Sequence, residues 1–349
     1  MPKRVFISFP INLPEIYEPL RREGCETIFG AEPAFPIASE RKEYSESEII
    51  EKCKDVCAIL SSPRLRLPAK VLKAMDKLLC ICNRGIGFDN VDIEAASDLG
   101  ILVTNAPIKE DFISVAEHTL ALILALAKRL KAVSELVLKE GPSAYYDERV
   151  DTMILNGKTV GIIGLGRIGS RVARLLRAFN VRLLGYDPYI PKERIRRIGV
   201  EPTSLEVLLR ESDFVTIHAP LTRETYHMIG TKELSMMKKT AYIINTARGA
   251  IIDEAALIEA LKSGIIAGAA LDVVEKEPIS VDNPLLKMDN VLLTPHIAGR
   301  NSTSLIKGEK LAVENCLKIL RGKVPKYVVN PEAIPKWREK RRKITKKCN

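Results

Sequence analysis

The chain has 349 residues, 54 Lys and Arg against 44 Asp and Glu, a formal charge of +10, and 46% hydrophobic residues. That length suits two domains with separate cores, and the composition excludes a disordered chain. Its longest apolar run, Thr119–Ala127, stops at Lys128, short of the roughly 20 residues of a membrane helix, and MPKRVFISFP lacks the apolar stretch of a signal peptide, so a cytoplasmic protein is expected.

In chain order, apolar strands are predicted at 5–9, 26–30, 56–62, 78–83 and 101–106, with helical stretches between them, as one α/β unit. Ser45 and Glu48 have the spacing of a capping box, and Pro68 opens a helix running to Met75. Seven cysteines stand at 25, 53, 57, 80, 82, 316 and 348 without repeated spacing, which points to reduced, buried thiols. A zinc site from Cys53, Cys57, Cys80 and Cys82 is disfavoured, because the second pair alternates within an apolar strand, and no metal is expected. From Ser114 to Glu140 the pattern is one long helix connecting two domains, ended by Gly141-Pro142.

A second α/β series follows, with strands at 159–163, 181–186, 214–218, 242–246, 267–273 and 291–294. Such alternation predicts a doubly wound parallel sheet, whose ligand crevice lies outside the carboxyl ends of the strands. Directly after its first strand comes Gly164-Leu165-Gly166-Arg167-Ile168-Gly169, and Asp187 ends the next strand 23 residues after Gly164. Gly164 permits a tight turn, Gly166 lets the backbone approach a pyrophosphate on the helix's free N–H groups, and Gly169 lets helix and strand pack closely. A carboxylate at Asp187 holds ribose hydroxyls and repels a 2′-phosphate, and Pro188 and Tyr189 bring no cation, so NAD is favoured over NADP.

Arg248, Glu277 and His296 each follow a later strand and should converge on that crevice. Arg grips a carboxylate through two N–H groups, His gives a proton to a carbonyl oxygen as hydride reaches its carbon, and a neighbouring carboxylate orients the His. Together they imply reduction of a small 2-keto acid. His118, His218 and His227 are weaker candidates. The C-terminal stretch 335–349 has eight cations and one Glu, +7 of the total, and reads as a solvated basic extension, the one place where nucleic acid or another polyanion would bind. The chain has no Gln while Lys, Arg, Glu and Ile are plentiful, which suggests a thermophile.

GLGRIG at 164–169, YDPY at 186–189, NTARG at 245–249, ALDVVEKEP at 270–278 and TPHIAG at 294–299 give the stretch from about 5 to 330 a close resemblance to the D-isomer-specific 2-hydroxyacid dehydrogenases. The resemblance implies an α/β fold of two doubly wound parallel-sheet domains, a Rossmann NAD-binding domain inserted in a flavodoxin-like substrate domain. It divides the chain into 1–106 with 297–330, then 107–296, and leaves 331–349 as the tail. The last helix of the first domain would run from Ile297 to Val329, and both crossings would form a closing hinge. It further implies that Arg248 binds the substrate carboxylate and that Glu277, kept in register by Pro278, pairs with His296 as general acid and base. Asp272 would hold the nicotinamide carboxamide, Thr246 and Ala247 with Arg167 and Ile168 would contribute to the cofactor pocket, and the Gly85-Ile86-Gly87 turn would offer N–H groups to substrate. A homodimer through the NAD-binding domain is expected on the same ground.

Phosphoglycerate dehydrogenases of the family commonly have Arg two residues before the first Gly of that turn, and here the position is Asn83, with Arg84 displaced by one. A shift of one in a strand reverses the side chain's direction. With no regulatory domain expected before the chain ends at 349, glyoxylate or hydroxypyruvate is the preferred substrate and 3-phosphoglycerate the next. The same fold serves as an NAD-sensing corepressor, but those members carry Trp shortly after the catalytic His. Ile297 to Arg300 follow it here and the single Trp is Trp337, so an enzyme is preferred.

Overall fold

Two parallel sheets, one in each of two units, carry the chain. The computed structural model describes residues 3–33, 44–62 and 64–348. One unit comprises residues 1–110 and 301–349, the other 111–300. Each crossing thus falls four residues beyond the expected boundary, and the C-terminal stretch belongs to the first unit.

In the first unit, β1 (Lys3–Ile7), β2 (Cys25–Phe29), β3 (Ala58–Ser61), β4 (Cys80–Asn83) and β5 (Leu102–Thr104) form a parallel sheet in the order β2-β1-β3-β4-β5. Its inner strands are buried on both faces, which is why they read as continuous apolar runs. The Ser45 capping box forms as expected. Cys80, Cys82 and Cys316 sit together in one core as free thiols.

Two sequence expectations fail in this unit. The helix expected over 297–329 is shorter, Ser302–Leu320, capped by the Asn301 side chain on Ser304 N at 2.8 Å and ended by Gly322 and Pro325. The stretch after it pairs with β5: Val329 N donates to Val103 O at 2.8 Å, and the Asn330 side chain accepts from Val103 N and donates to Ile101 O. The basic stretch is not a solvated extension either. It forms the helix Ile334–Cys348, with Trp337 only 1% exposed in the same core as Val5, Leu102 and Ile319. Ala333, Trp337 and Ile344 repeat at four and seven residues, one apolar stripe hidden among cations. Lys336 pairs with Asp98 at 2.8 Å, and Lys340 Nζ donates to Leu99 O.

In the second unit, β6 (Thr159–Ile163), β7 (Arg182–Tyr186), β8 (Glu201–Pro202), β9 (Phe214–Ile217), β10 (Tyr242–Asn245), β11 (Gly268–Leu271) and β12 (Val291–Leu293) are parallel, in the order β12-β11-β10-β9-β6-β7-β8. The order reverses beside β6, so the switch point of the sheet opens at its carboxyl end. The two-residue β8 escaped the sequence reading because it is short and ends in Pro, tolerated only at an edge. The long helix expected over 114–140 begins earlier and is broken, as Lys109–Ala127 and Leu130–Glu140 with Arg129 at φ +49° between them. Ala127 O accepts from Met153 N at 2.8 Å instead of from the next helical turn. Among the described residues no helix is long and apolar enough to cross a membrane.

Candidate active site

All three polar residues expected to do chemistry lie in the second unit, at the carboxyl ends of adjacent strands β10, β11 and β12. The glycine turn lies at the end of β6, the switch-point strand. Gly164 has φ +85°, a conformation that side chains disfavour, and its N–H donates to Tyr186 O. A Cβ on Gly169 would stand 2.0 Å from Gly164 O, so only Gly fits there. Gly166 caps the helix Arg167–Leu176 without any side chain, and space is open where its Cβ would be. The first N–H groups of that helix therefore remain for an anion.

Asp187 ends β7. Its Oδ2 accepts from Leu165 N at 2.8 Å and its Oδ1 from Tyr189 N at 3.0 Å, which binds the acid to the glycine turn. Two of roughly four lone-pair sites are used, leaving capacity for ribose hydroxyls. Beside it opens a cleft of about 430 Å³ lined by Asp187, Pro188, Tyr189, Ile195 and Thr203. Lys192 lines the same cleft, a cation beyond the two positions weighed from the sequence. An open helix N-terminus, an acid fixed against the turn and a cleft alongside fit a dinucleotide.

The loop after β10 is organised by Asn245, whose Oδ1 accepts from Ala247 N at 3.0 Å and whose Nδ2 donates to Arg248 O at 2.8 Å. Thr246 shares a 3.0 Å hydroxyl contact with Thr119 and is buried. Arg248 Nη1 donates to Ala247 O, which holds the start of the guanidinium's course.

After β12 the backbone of His296 has φ +54° in the left-handed region, which non-glycine residues enter only when their surroundings over-determine it. Asp272 supplies that determination. Its backbone O accepts from His296 N at 2.7 Å, and its carboxylate accepts from Thr294 Oγ1 at 2.6 Å, Ile297 N at 2.9 Å and Ala298 N at 2.8 Å. His118 Nε2 meets Thr294 Oγ1 at 3.1 Å and lies 3.6 Å from Asp272. Asp272 and His118 are thus anchors of the histidine loop; a nicotinamide contact for Asp272 would use its remaining capacity.

His296 Nδ1 lies 2.7 Å from Glu277 Oε2. An ionised carboxylate only accepts, so Nδ1 carries the donated proton and Nε2 is the nitrogen left for chemistry. The bond to Glu277 is the largest influence raising the His296 pKa, opposed by burial and by Arg248. Of the remaining histidines, His218 is half-buried with its pKa pushed down to about 3 by desolvation, and His227 Nε2 lies 2.9 Å from Glu275 Oε1.

One residue that sequence reasoning missed is Asp111, near the start of the helix Lys109–Ala127. Burial raises its pKa to about 6, against the pull of Arg248 and His296. No motif signals it, because its setting exists only after folding.

In the first unit, Gly85 O accepts from Ala106 N at 2.8 Å and Ile86 O from the Asn105 side chain at 2.9 Å. Planar peptides then direct the N–H groups of Ile86 and Gly87 the opposite way. Arg84 Nη1 donates to Phe9 O at 2.8 Å and pairs with buried Glu309 at 3.3 Å, whose other oxygen accepts from Tyr17. Among the described residues no cluster of three or more His, Cys, Asp and Glu could hold a metal.

The family description "D-isomer specific 2-hydroxyacid dehydrogenase, NAD binding domain" matches residues 120–298. The chain is 43% identical to the D-3-phosphoglycerate dehydrogenase of Methanocaldococcus jannaschii over 83% of its own length and 55% of that protein. It is 41% identical to the glyoxylate reductase of Korarchaeum cryptofilum over 83% of its length and 87% of that protein. The solved D-lactate dehydrogenase of Aquifex aeolicus, complexed with NAD and lactic acid, matches 94% of this chain and 99% of that one at 34% identity and a TM-score of 0.81. The chain belongs to the D-isomer-specific 2-hydroxyacid dehydrogenase family, and its cofactor is NAD.

Proposed function

We propose that this protein reduces a small, unphosphorylated 2-keto acid to its D-2-hydroxy acid, glyoxylate or hydroxypyruvate being preferred. The observation that carries this reading is the 2.7 Å Glu277–His296 pair, at the same end of the sheet as Arg248 and the glycine turn. NADH, when bound, supplies the hydride. Arg248 then holds the substrate carboxylate, and protonated His296 delivers a proton from Nε2 to the keto oxygen. Glu277 stabilises the imidazolium, which makes that proton available near neutral pH. Gly164, Gly166, Arg167, Ile168 and Gly169 receive the pyrophosphate end, Asp187 the ribose, with Thr246, Ala247 and Asp272 beside the nicotinamide end. The backbone turn at Gly85, Ile86 and Gly87 orients the substrate.

Relatives named for glyoxylate and for D-3-phosphoglycerate both match, so substrate choice rests on the first unit. There Arg84 is committed to Phe9 O and Glu309, and Asn83, in the preceding position, carries no charge. Neither supplies a cation of the kind that a phosphate requires. A panel of glyoxylate, hydroxypyruvate and 3-phosphohydroxypyruvate, followed by NADH absorbance, should favour the first two in kcat/KM by about tenfold or more. The reverse order would establish the phosphorylated substrate. Leu138, Tyr145 and Tyr146 of the second unit are 85%, 79% and 87% exposed, and such apolar exposure supports a homodimer through this unit. Sedimentation of Tyr146→Glu should then show monomer where the parent chain is dimeric.

A further inference from the structure

Three side chains of the helix Lys109–Ala127 reach the loops at the carboxyl end of the second unit's sheet. Ser114 Oγ donates to Ala298 O at 2.7 Å, His118 Nε2 lies 3.1 Å from Thr294 Oγ1, and Thr119 Oγ1 lies 3.0 Å from Thr246 Oγ1, two residues before Arg248. Ser114 and His118 are four residues apart, so they share one face of the helix, about 6 Å apart along its axis. Their partners, Thr294 and Ala298, flank His296, two residues before it and two after. The helix therefore braces both flanks of the residue whose backbone is held at φ +54°.

Proton count gives each hydrogen bond of this brace its direction. Both oxygens of the buried Asp272 carboxylate accept from backbone N–H groups, Oδ1 from Ile297 and Oδ2 from Ala298. Thr294 Oγ1 gives its single proton to Asp272 Oδ1 at 2.6 Å, so towards His118 it can only accept, and Nε2 of His118 carries the hydrogen. The chain of donors runs from His118 to Thr294 to Asp272, which also accepts at its backbone O from His296 N.

We infer that His118 is a positioning residue for the reduction: by donating Nε2–H to Thr294 it fixes the Thr294 hydroxyl and the Asp272 carboxylate, and through them the direction in which His296 delivers its proton. Without that donor the Thr294 hydroxyl loses its preferred orientation, and the left-handed backbone at His296 is no longer over-determined. Glu277 still orients the imidazole ring, but the backbone that carries the ring shifts. A misplacement of about 1 Å is enough to cost about 10²-fold in rate. No bond to substrate forms or breaks at His118.

The inference rests on the proposed reading of His296 as proton donor, and the experiment separates the two. For the full chain and its variants, kcat and KM are measured with NADH and the keto acid that the parent reduces fastest, and NADH affinity is read from fluorescence. His118→Leu should lower kcat by about tenfold or more, with KM and NADH affinity changed far less. His118→Gln, whose amide N–H can stand where Nε2–H does, should recover most of the loss. Thr294→Val breaks the chain at its next link and should reproduce the loss, whereas Thr294→Ser should not. Because His118 acts through His296, His118→Leu should cost little further in a His296→Asn background. If His118→Leu does not fold, Thr294→Val in the same two backgrounds decides in the same way. A merely structural role would lower kcat by the same factor in both backgrounds, or loosen NADH binding as much as it lowers kcat. Either result, or a His118→Leu with the parent's kcat beside an impaired His296→Asn, would overturn the inference and leave the function standing. A parent chain that reduces no 2-keto acid, or a His296→Asn with unchanged kcat, would overturn both.

Discussion

Two carboxylate–cation pairs, one in each unit, look alike in composition and differ in every physical respect that matters. Arg84 and Glu309 meet at 3.3 Å with side chains 19% and 3% exposed, while Glu277 and His296 meet at 2.7 Å with side chains 38% and 46% exposed. The first pair is enclosed by Tyr17 and Phe9 O, and desolvation is the largest influence on Glu309, raising its pKa. The second is accessible to solvent, and its partner's influence on His296 exceeds that of burial. A buried pair commits its charges to each other and fixes a backbone, here the approach to the Gly85 turn. An accessible pair leaves one nitrogen, Nε2, open to exchange its proton, as the proposed reduction requires.

Breaking the buried pair should give the largest effect. Arg84→Met leaves the Glu309 carboxylate enclosed without its cation and should cost about 3–5 kcal/mol of stability, read from denaturant midpoints. The double variant Arg84→Met/Glu309→Gln removes the stranded charge while keeping an acceptor for Tyr17, and should recover most of the loss. A single variant as stable as the parent would mean that this pair is no more committed than an exposed one. His296→Asn should leave stability and NADH affinity near the parent's but lower kcat by about 10² or more, the scale of a lost general acid. An unchanged kcat would remove His296 from the chemistry.

The two pairs were also unequally legible. Glu277 and His296 follow strands at recognisable spacings, and periodicity alone placed those strands within a few residues. The link from Arg84 to Glu309 spans 225 residues and leaves no local signal. Its one sequence trace was the displacement of Arg84 by one position from the Arg that phosphoglycerate dehydrogenases of the family commonly carry there. The C-terminal helix was misread because charge density outweighed three apolar residues at helical spacing, yet those residues, Trp337 above all, dock it in the first unit's core. Arg129, whose left-handed backbone divides the connecting helix, sits where composition favours continuation; Met153 takes the carbonyl that would have continued it. Asp111 was unreadable as a site residue, and His118 legible only as a weaker candidate, because their meaning depends on loops that meet them only in the folded unit.

The smallest expected effect bears on the accessible pair most directly. Glu277→Gln preserves an acceptor for His296 Nδ1 but removes the negative charge, so the histidine should lose its proton at lower pH than in the parent. Reduction requires the protonated ring. In the parent, kcat for reduction should hold at low pH and fall as pH rises through a His296 pKa that Glu277 has raised. The variant's fall should begin at lower pH, costing about tenfold near pH 7.5 and little near pH 5.5. Oxidation of the hydroxy acid requires the neutral ring, so its rising limb should move to lower pH by the same interval. Shifts of opposite benefit to the two directions are the signature of a tuned proton. A loss equal at every pH would mean that Glu277 only props up the imidazole, as Glu309 does for Arg84, and the distinction between the two pairs would fail.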